Sequence, residues 1–210
     1  MRQILLFILF LICVQPVAAQ NLLQQYRQLA KAEKRWVRCH LFVAKRAMQC
    51  TRLTEQLYEQ AKKDSLITGP ENGGKPDAFR HALWMALLTQ NIGAKKALKL
   101  GIAHEKANFE FFLKKKNEYG ELPDSMGSVM DAFNNQKGVD LGLQYSKDSA
   151  QAMVQVVLRS LTNGELCIIK ADQSGRFLTC DNQPINMEKY SGCWNIPKCL
   201  VSSAWKFETK

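Results

Sequence analysis

Along most of this chain, apolar residues recur every three or four positions, and the runs are cut by glycine and proline. That pattern constrains the fold more than any other feature, because it predicts several short helices of one packed unit. Leu22, Leu23, Tyr26 and Leu29, and later Leu53, Leu57 and Tyr58, predict a helical region over 20–63 in two pieces. The turn-rich run Gly69 to Pro76 follows. A helix is expected from Asp77 or Ala78 to Asn91 with Asp77 as its N-cap, and a second over 94–117 after Gly93. After a turn at Gly120–Pro123 a third covers 125–137, closed by Gly138, and a fourth runs from Lys147 to Leu161 before Asn163-Gly164. Glu165 to Lys170 then has strand character, Asp172–Gly175 is turn-like, and Arg176–Cys180 is the expected returning strand. The expected fold class is mainly α: a multi-helix single domain over 20–210, with a small C-terminal β-hairpin and a disulfide-pinned tail over about 165–210.

The first 19 residues have a different character. Arg2 precedes the apolar run Ile4–Val14, Pro16 breaks it, and Val17-Ala18-Ala19 offers small residues for cleavage. This layout predicts a cleaved signal peptide over 1–19 and a secreted or periplasmic protein, with no transmembrane segment in the mature chain. Six cysteines then remain: Cys39, Cys50, Cys167, Cys180, Cys193 and Cys199. An even number in an exported chain predicts disulfides. The positions suggest the local pairs Cys39–Cys50, Cys167–Cys180 and Cys193–Cys199, and no free thiol. No CxxC is present, which argues against a zinc-cysteine site. The formal charge of +10 falls to +9 on loss of Arg2, a balance that favours anionic substrates or surfaces as partners. No nucleic-acid-binding motif accompanies the lysines.

Polar residues with chemical capacity concentrate between Asn72 and Gly138. Asp77, His81, Trp84 and Leu88 share one helical face, so a carboxylate and an imidazole point inward with apolar neighbours. Buried groups of this kind must be paired, hydrogen-bonded or bound to a metal. Ala97, Gly101, His104, Asn108 and Phe111 form a second face, next to Glu105. Gly101 costs a helix about 1 kcal/mol relative to alanine, which suggests a close approach there. Asp131 and Asn135 share a third face, next to Asn134. Two of the three histidines of the mature chain thus fall among several acids. The set fits a divalent metal, zinc or similar, held by Asp77, His81, His104 and Asp131. It equally fits a metal-free His–Asp acid–base pair, or a core polar network. No GxSxG is present.

The ordered residues Asn72-Gly73, Asp77-Ala78-Phe79-Arg80-His81-Ala82-x-Trp84, Gly93, Ala103-His104-Glu105 and Met130-Asp131-x-x-Asn134-Asn135-x-x-Gly138 resemble a bacterial domain family of unknown function. Its members occur in secreted proteins and at the C-terminal ends of toxin-like polypeptides. The resemblance covers a motif core of about 66–170 and implies a helical domain with the motif residues gathered at one site. The functional expectation is a secreted hydrolase, metal-assisted, acting on an anionic substrate such as a phosphoester or phospholipid, as a toxin or effector. Its catalytic residues would be His81, His104, Glu105 and Asp131, with Arg80, Trp84, Asn72, Asn134 and Asn135 binding substrate. The alternative is a non-catalytic binding or structural module, an immunity or inhibitor role included.

Overall fold

A computed structural model describes residues 23–63, 66–115 and 122–206. The expected signal peptide over 1–19 lies outside the described residues, as does part of the expected turn at Gly120–Pro123. Among the described residues, seven helices precede a two-stranded sheet: α1 (23–28), α2 (Lys31–Cys39), α3 (Leu41–Ala61), α4 (Lys75–Ile92), α5 (Ala94–Leu113), α6 (Ser125–Gln144), α7 (Ala150–Thr162), β1 (Cys167–Ile169) and β2 (Leu200–Ser202). The N-terminal region is thus broken into three helical pieces rather than two. Among the described residues no helix is long and apolar enough to cross a membrane.

The architecture is organised around α4. Its residues from Pro76 to Leu83 are all buried, and so are Met85 to Thr89, so other elements cover nearly every face. Phe79, Leu83 and Leu87 pack with Met153, Val157 and Leu161 of α7 and with Leu57 of α3. Met85 and Leu88 join Trp36, Ala47 and Ala97 in a second cluster towards α2, α3 and α5. Each fully buried side chain of this size contributes about 1.5–3 kcal/mol before entropy is charged against it.

The helix begins earlier than the sequence suggested, which corrects the role of Asp77. Gly74 is the N-cap, and Pro76 sits in the first turn, where a missing N–H costs nothing. Asp77 lies third in that first turn and reaches back, its Oδ2 accepting the Gly73 N–H at 2.7 Å.

Gly138 is a second correction. It lies inside α6 instead of closing it, because α4 passes too close for any side chain. A Cβ there would stand 2.4 Å from the Ala82 carbonyl oxygen, and one at Gly142 would stand 2.6 Å from that of Ala86. Two glycines one turn apart therefore seat α6 directly on the backbone of α4. Gly101 also marks a close helix contact, with Met85 and Asn135 at 3.3 Å from its absent Cβ.

β1 pairs antiparallel with β2, Ile168 facing Val201, so the partner strand comes from the end of the chain and not from 176–180. The expected return survives only as isolated bridges, Ala171 with Phe177 and Leu178 with Pro184. The expected cysteine pairs also fail. Cys180 bonds to Cys199 with Cα atoms 4.9 Å apart, while Cys39, Cys50, Cys167 and Cys193 are free. Cys39 and Cys50 cannot meet: Cys50 lies nine residues into α3, a rise of about 13 Å, against the 7 Å limit of a disulfide. Its thiol faces the core, 3.9 Å from the Leu87 carbonyl. The Cys180–Cys199 bond constrains a 19-residue separation, which in the chain-entropy account stabilises the tail by about 3 kcal/mol.

Candidate functional site

The first turns of α4 set three polar side chains on one face: Asp77, Arg80 and His81, spaced by three and one. Because α6 lies against α4 at Gly138, the preceding turns of α6 bring Asp131 and Asn135 up to that face. His81 Nε2 is 3.5 Å from Asp77 Oδ1 and 3.5 Å from Asp131 Oδ1. One ligand atom from each of these three buried residues lies within 4.8 Å of the others. Arg80 Nη2 also donates to Asp77 Oδ1, at 2.5 Å.

Asn135 decides which imidazole nitrogen faces the acids. Its Nδ2 donates to Glu105 Oε1 at 3.4 Å, which leaves Oδ1 to accept from His81 Nδ1 at 3.1 Å. With the proton on Nδ1, the Nε2 lone pair points at two carboxylates. Such an arrangement asks for a cation between them. Burial pushes the His81 pKa down to about 4, with Arg80 and His104 adding to the effect and Asp77 and the Asn135 hydrogen bond opposing it.

The spacing also suits a metal. Ligands bonded at about 2.0–2.2 Å around a tetrahedral ion stand roughly 3.3–3.6 Å apart. The two 3.5 Å separations from Nε2 match that range. Beside the three residues lies a cavity of about 40 Å³, whose wall includes Asn72, Asn108, Ser128 and Lys198. Asn108 is 3% exposed, and its Oδ1, like the Ser128 hydroxyl, is buried without a hydrogen-bond partner among the described residues. Lys198 pairs with Asp124 at 2.6 Å and stands 4.0 Å over the Phe177 ring.

The remaining expected residues divide. His104 is beside His81, with ring centroids 5.9 Å apart, but its Nδ1 faces Glu33 at 3.3 Å and it lines a different, larger cavity. It therefore stands apart from the three convergent ligands. Glu105 lies behind Asn135 and Asn108, where it orients both amides. Asn134 is fully buried and exchanges two 2.9 Å hydrogen bonds with the Cys167 backbone, so it docks β1. Trp84 donates to Thr51 Oγ1 at 2.9 Å and lines the larger cavity.

Sequence reasoning missed Asp124, Ser128 and Lys198 as wall residues. Asp124 had a legible signal, since it precedes a helix and its Oδ1 caps Met126 and Gly127. Lys198 had none: only the Cys180–Cys199 bond and the return of the tail bring it there.

Metal-free protein should lose stability in mild acid. The folded His81 stays neutral down to about pH 4, whereas the unfolded chain takes up a proton near its ordinary value of 6.5. The contribution is therefore complete above pH 6.5, falls as the pH drops from 6.5 to 4, and changes no further below that. Its size is on the order of 3 kcal/mol. Urea unfolding with chelator at pH 7 and pH 4.5 measures it, and His81→Gln should flatten the difference.

A model of the family described as Domain of unknown function (DUF6973) matches residues 34–165. The match starts well before the motif core expected from 66, so most of α2 and all of α3 belong to the family domain. It includes Asp77, His81 and Asp131, and stops short of Lys198 and the Cys180–Cys199 bond. No curated protein and no solved structure matches the chain. Since the matched segment takes in well over half of its 210 residues, the chain belongs to the family of domains of unknown function DUF6973.

Proposed function

We propose that this protein is an exported metal-assisted hydrolase acting on an anionic substrate. The observation that carries the reading is the convergence of Asp77 Oδ1, His81 Nε2 and Asp131 Oδ1 on one point beside a small polar cavity. Three protein ligands leave positions open, and a divalent cation held there would supply Lewis-acid activation of water. Asn135, held by Glu105, keeps the His81 proton on Nδ1 and its lone pair on Nε2. Arg80 holds Asp77 in place from the side. The Lys198 ammonium, fixed by Asp124, offers positive charge at the cavity wall where a phosphoester would gain negative charge. The Arg2-led apolar run and the Cys180–Cys199 disulfide support export.

A second reading, a polar network without catalysis, is favoured by one feature. Arg80 and the Gly73 amide already satisfy the Asp77 carboxylate from within the protein. Elemental analysis separates the two. Purified protein should hold about one equivalent of a divalent metal, and Asp131→Asn should lose it and melt close to where the parent melts in chelator. Protein that never carries metal, and whose melting a chelator leaves unchanged, would favour the network.

A further inference from the structure

The larger cavity, about 600 Å³, has the size of a small-molecule site. It lies between α1, α2 and α3 on one side and α4 and α5 on the other, with Leu29, Trp36, Val37, Met48, Trp84 and Leu100 in its wall. Most of the polar groups named in that wall are engaged within the protein itself. The Trp36 indole donates to the Lys96 carbonyl at 3.1 Å, and that of Trp84 to Thr51 at 2.9 Å. The Thr51 and Thr54 hydroxyls donate back along α3, to Ala47 and Cys50. Arg52 binds Gln25 at 2.9 Å, and His104 faces Glu33. Water in such a space finds few partners, so an aliphatic occupant displaces it with gain. A peptide would need backbone partners along its length, and most of the polar groups between the apolar side chains are already engaged. The charges at the margin are mixed, Lys45 and Arg52 against Glu33 and Glu55, and select no head group.

Arg80 and His81 line both this cavity and the small polar one. An apolar chamber and a polar centre thus share a two-residue wall, the arrangement that suits a molecule apolar along its length and polar at one end. We propose that the larger cavity binds a long aliphatic acyl chain and brings the polar end of that amphiphile to Arg80 and His81. As a statement about substrate class this rests on the metal-centre reading; as a statement about binding it does not.

The test is binding of palmitate and, separately, of 1-palmitoyl lysophosphatidylglycerol to the protein in the form its host produces. Native mass spectrometry and calorimetry read the complex, with and without chelator. One saturable chain per protein is expected for either ligand, and binding of both places the recognition in the chain rather than the head. Ala44→Trp, which puts an indole into the cavity from α3, should weaken binding at least tenfold with a retained melting transition. Should that variant fold poorly, Leu29→Trp fills the space from the turn between α1 and α2. Binding that persists in chelator supports the chain site whatever becomes of the metal centre. Absence of saturable binding by both ligands, or binding that both tryptophan variants leave unchanged, overturns the proposal.

Discussion

Gly138→Ala will lower the melting temperature by about 4–8 °C. The added methyl would meet the Ala82 carbonyl oxygen at 2.4 Å and the Met85 Cβ at 2.8 Å. Neither is the far end of a flexible chain, so α4 and α6 must separate. Overpacking of this kind costs about 3 kcal/mol. Alanine returns about 1 kcal/mol through its better helix propensity, leaving a net loss of about 2 kcal/mol. For a domain of this size that corresponds to the stated shift. Gly142→Ala meets the Ala86 carbonyl at 2.6 Å and should behave alike. The double variant should cost less than the sum, because one wedge already opens the seam for the other. Gly127→Ala is the control. Its nearest contact would be 3.9 Å away, so propensity alone acts and stability should rise by up to about 1 kcal/mol. Calorimetry on the three single variants decides the matter, and a Gly138→Ala protein as stable as its parent would mean the two helices are not in contact there.

His81→Ala will reduce hydrolysis by about a thousandfold or more. Under the proposed function the imidazole is the one neutral ligand among two carboxylates, and its loss removes several kcal/mol at the reacting centre. The effect on folding should be smaller, about 1–3 kcal/mol, from the lost hydrogen bond to Asn135 and the space left beside Trp84. Glu105→Gln gives the graded comparison. It weakens the grip on the Asn135 amide, so Asn135 can turn and the His81 tautomer is no longer dictated. Loss of such outer support reduces metal affinity by about 10–100-fold, which excess metal should rescue. Turnover of bis(4-nitrophenyl) phosphate, with circular dichroism alongside, reads both variants. Equal rates for the parent and His81→Ala would remove the catalytic assignment while leaving the fold untouched.

What the sequence made legible was local. The four-residue spacing from Asp77 to His81 put both on one face of α4, and the pair does meet Asp131. Gly101 also read correctly as a point of close approach. Gly138 did not, because a glycine that ends a helix and one that admits a neighbouring backbone look the same along the chain. The tail failed for a related reason. Cys167, Cys180, Cys193 and Cys199 invite pairing with their nearest neighbours, yet β1 takes its partner from Leu200–Ser202. That choice draws Cys199 to Cys180 and Lys198 to Asp124, across 74 residues of sequence. Non-local strand pairing leaves no periodic trace, so the wall it supplies to the site could not be anticipated. His104 shows the limit of facial patterns: it neighbours His81, but α2 and its Glu33 claim the ring from the other side.

The burial of α4 on nearly all sides also governs how the domain opens. Its amides cannot reach solvent while α3, α5, α6 and α7 stay docked, because no side of the helix belongs to a layer that could lift away by itself. Deuterium should therefore enter α4 only through unfolding of the whole domain, at the slowest rate in the chain, while the short α1 and the margins of the tail exchange through local fraying. A helix that forms the trunk of a fold in this way makes the domain a single cooperative unit, and it gives the polar cluster on its first turns the most rigid mounting the chain possesses.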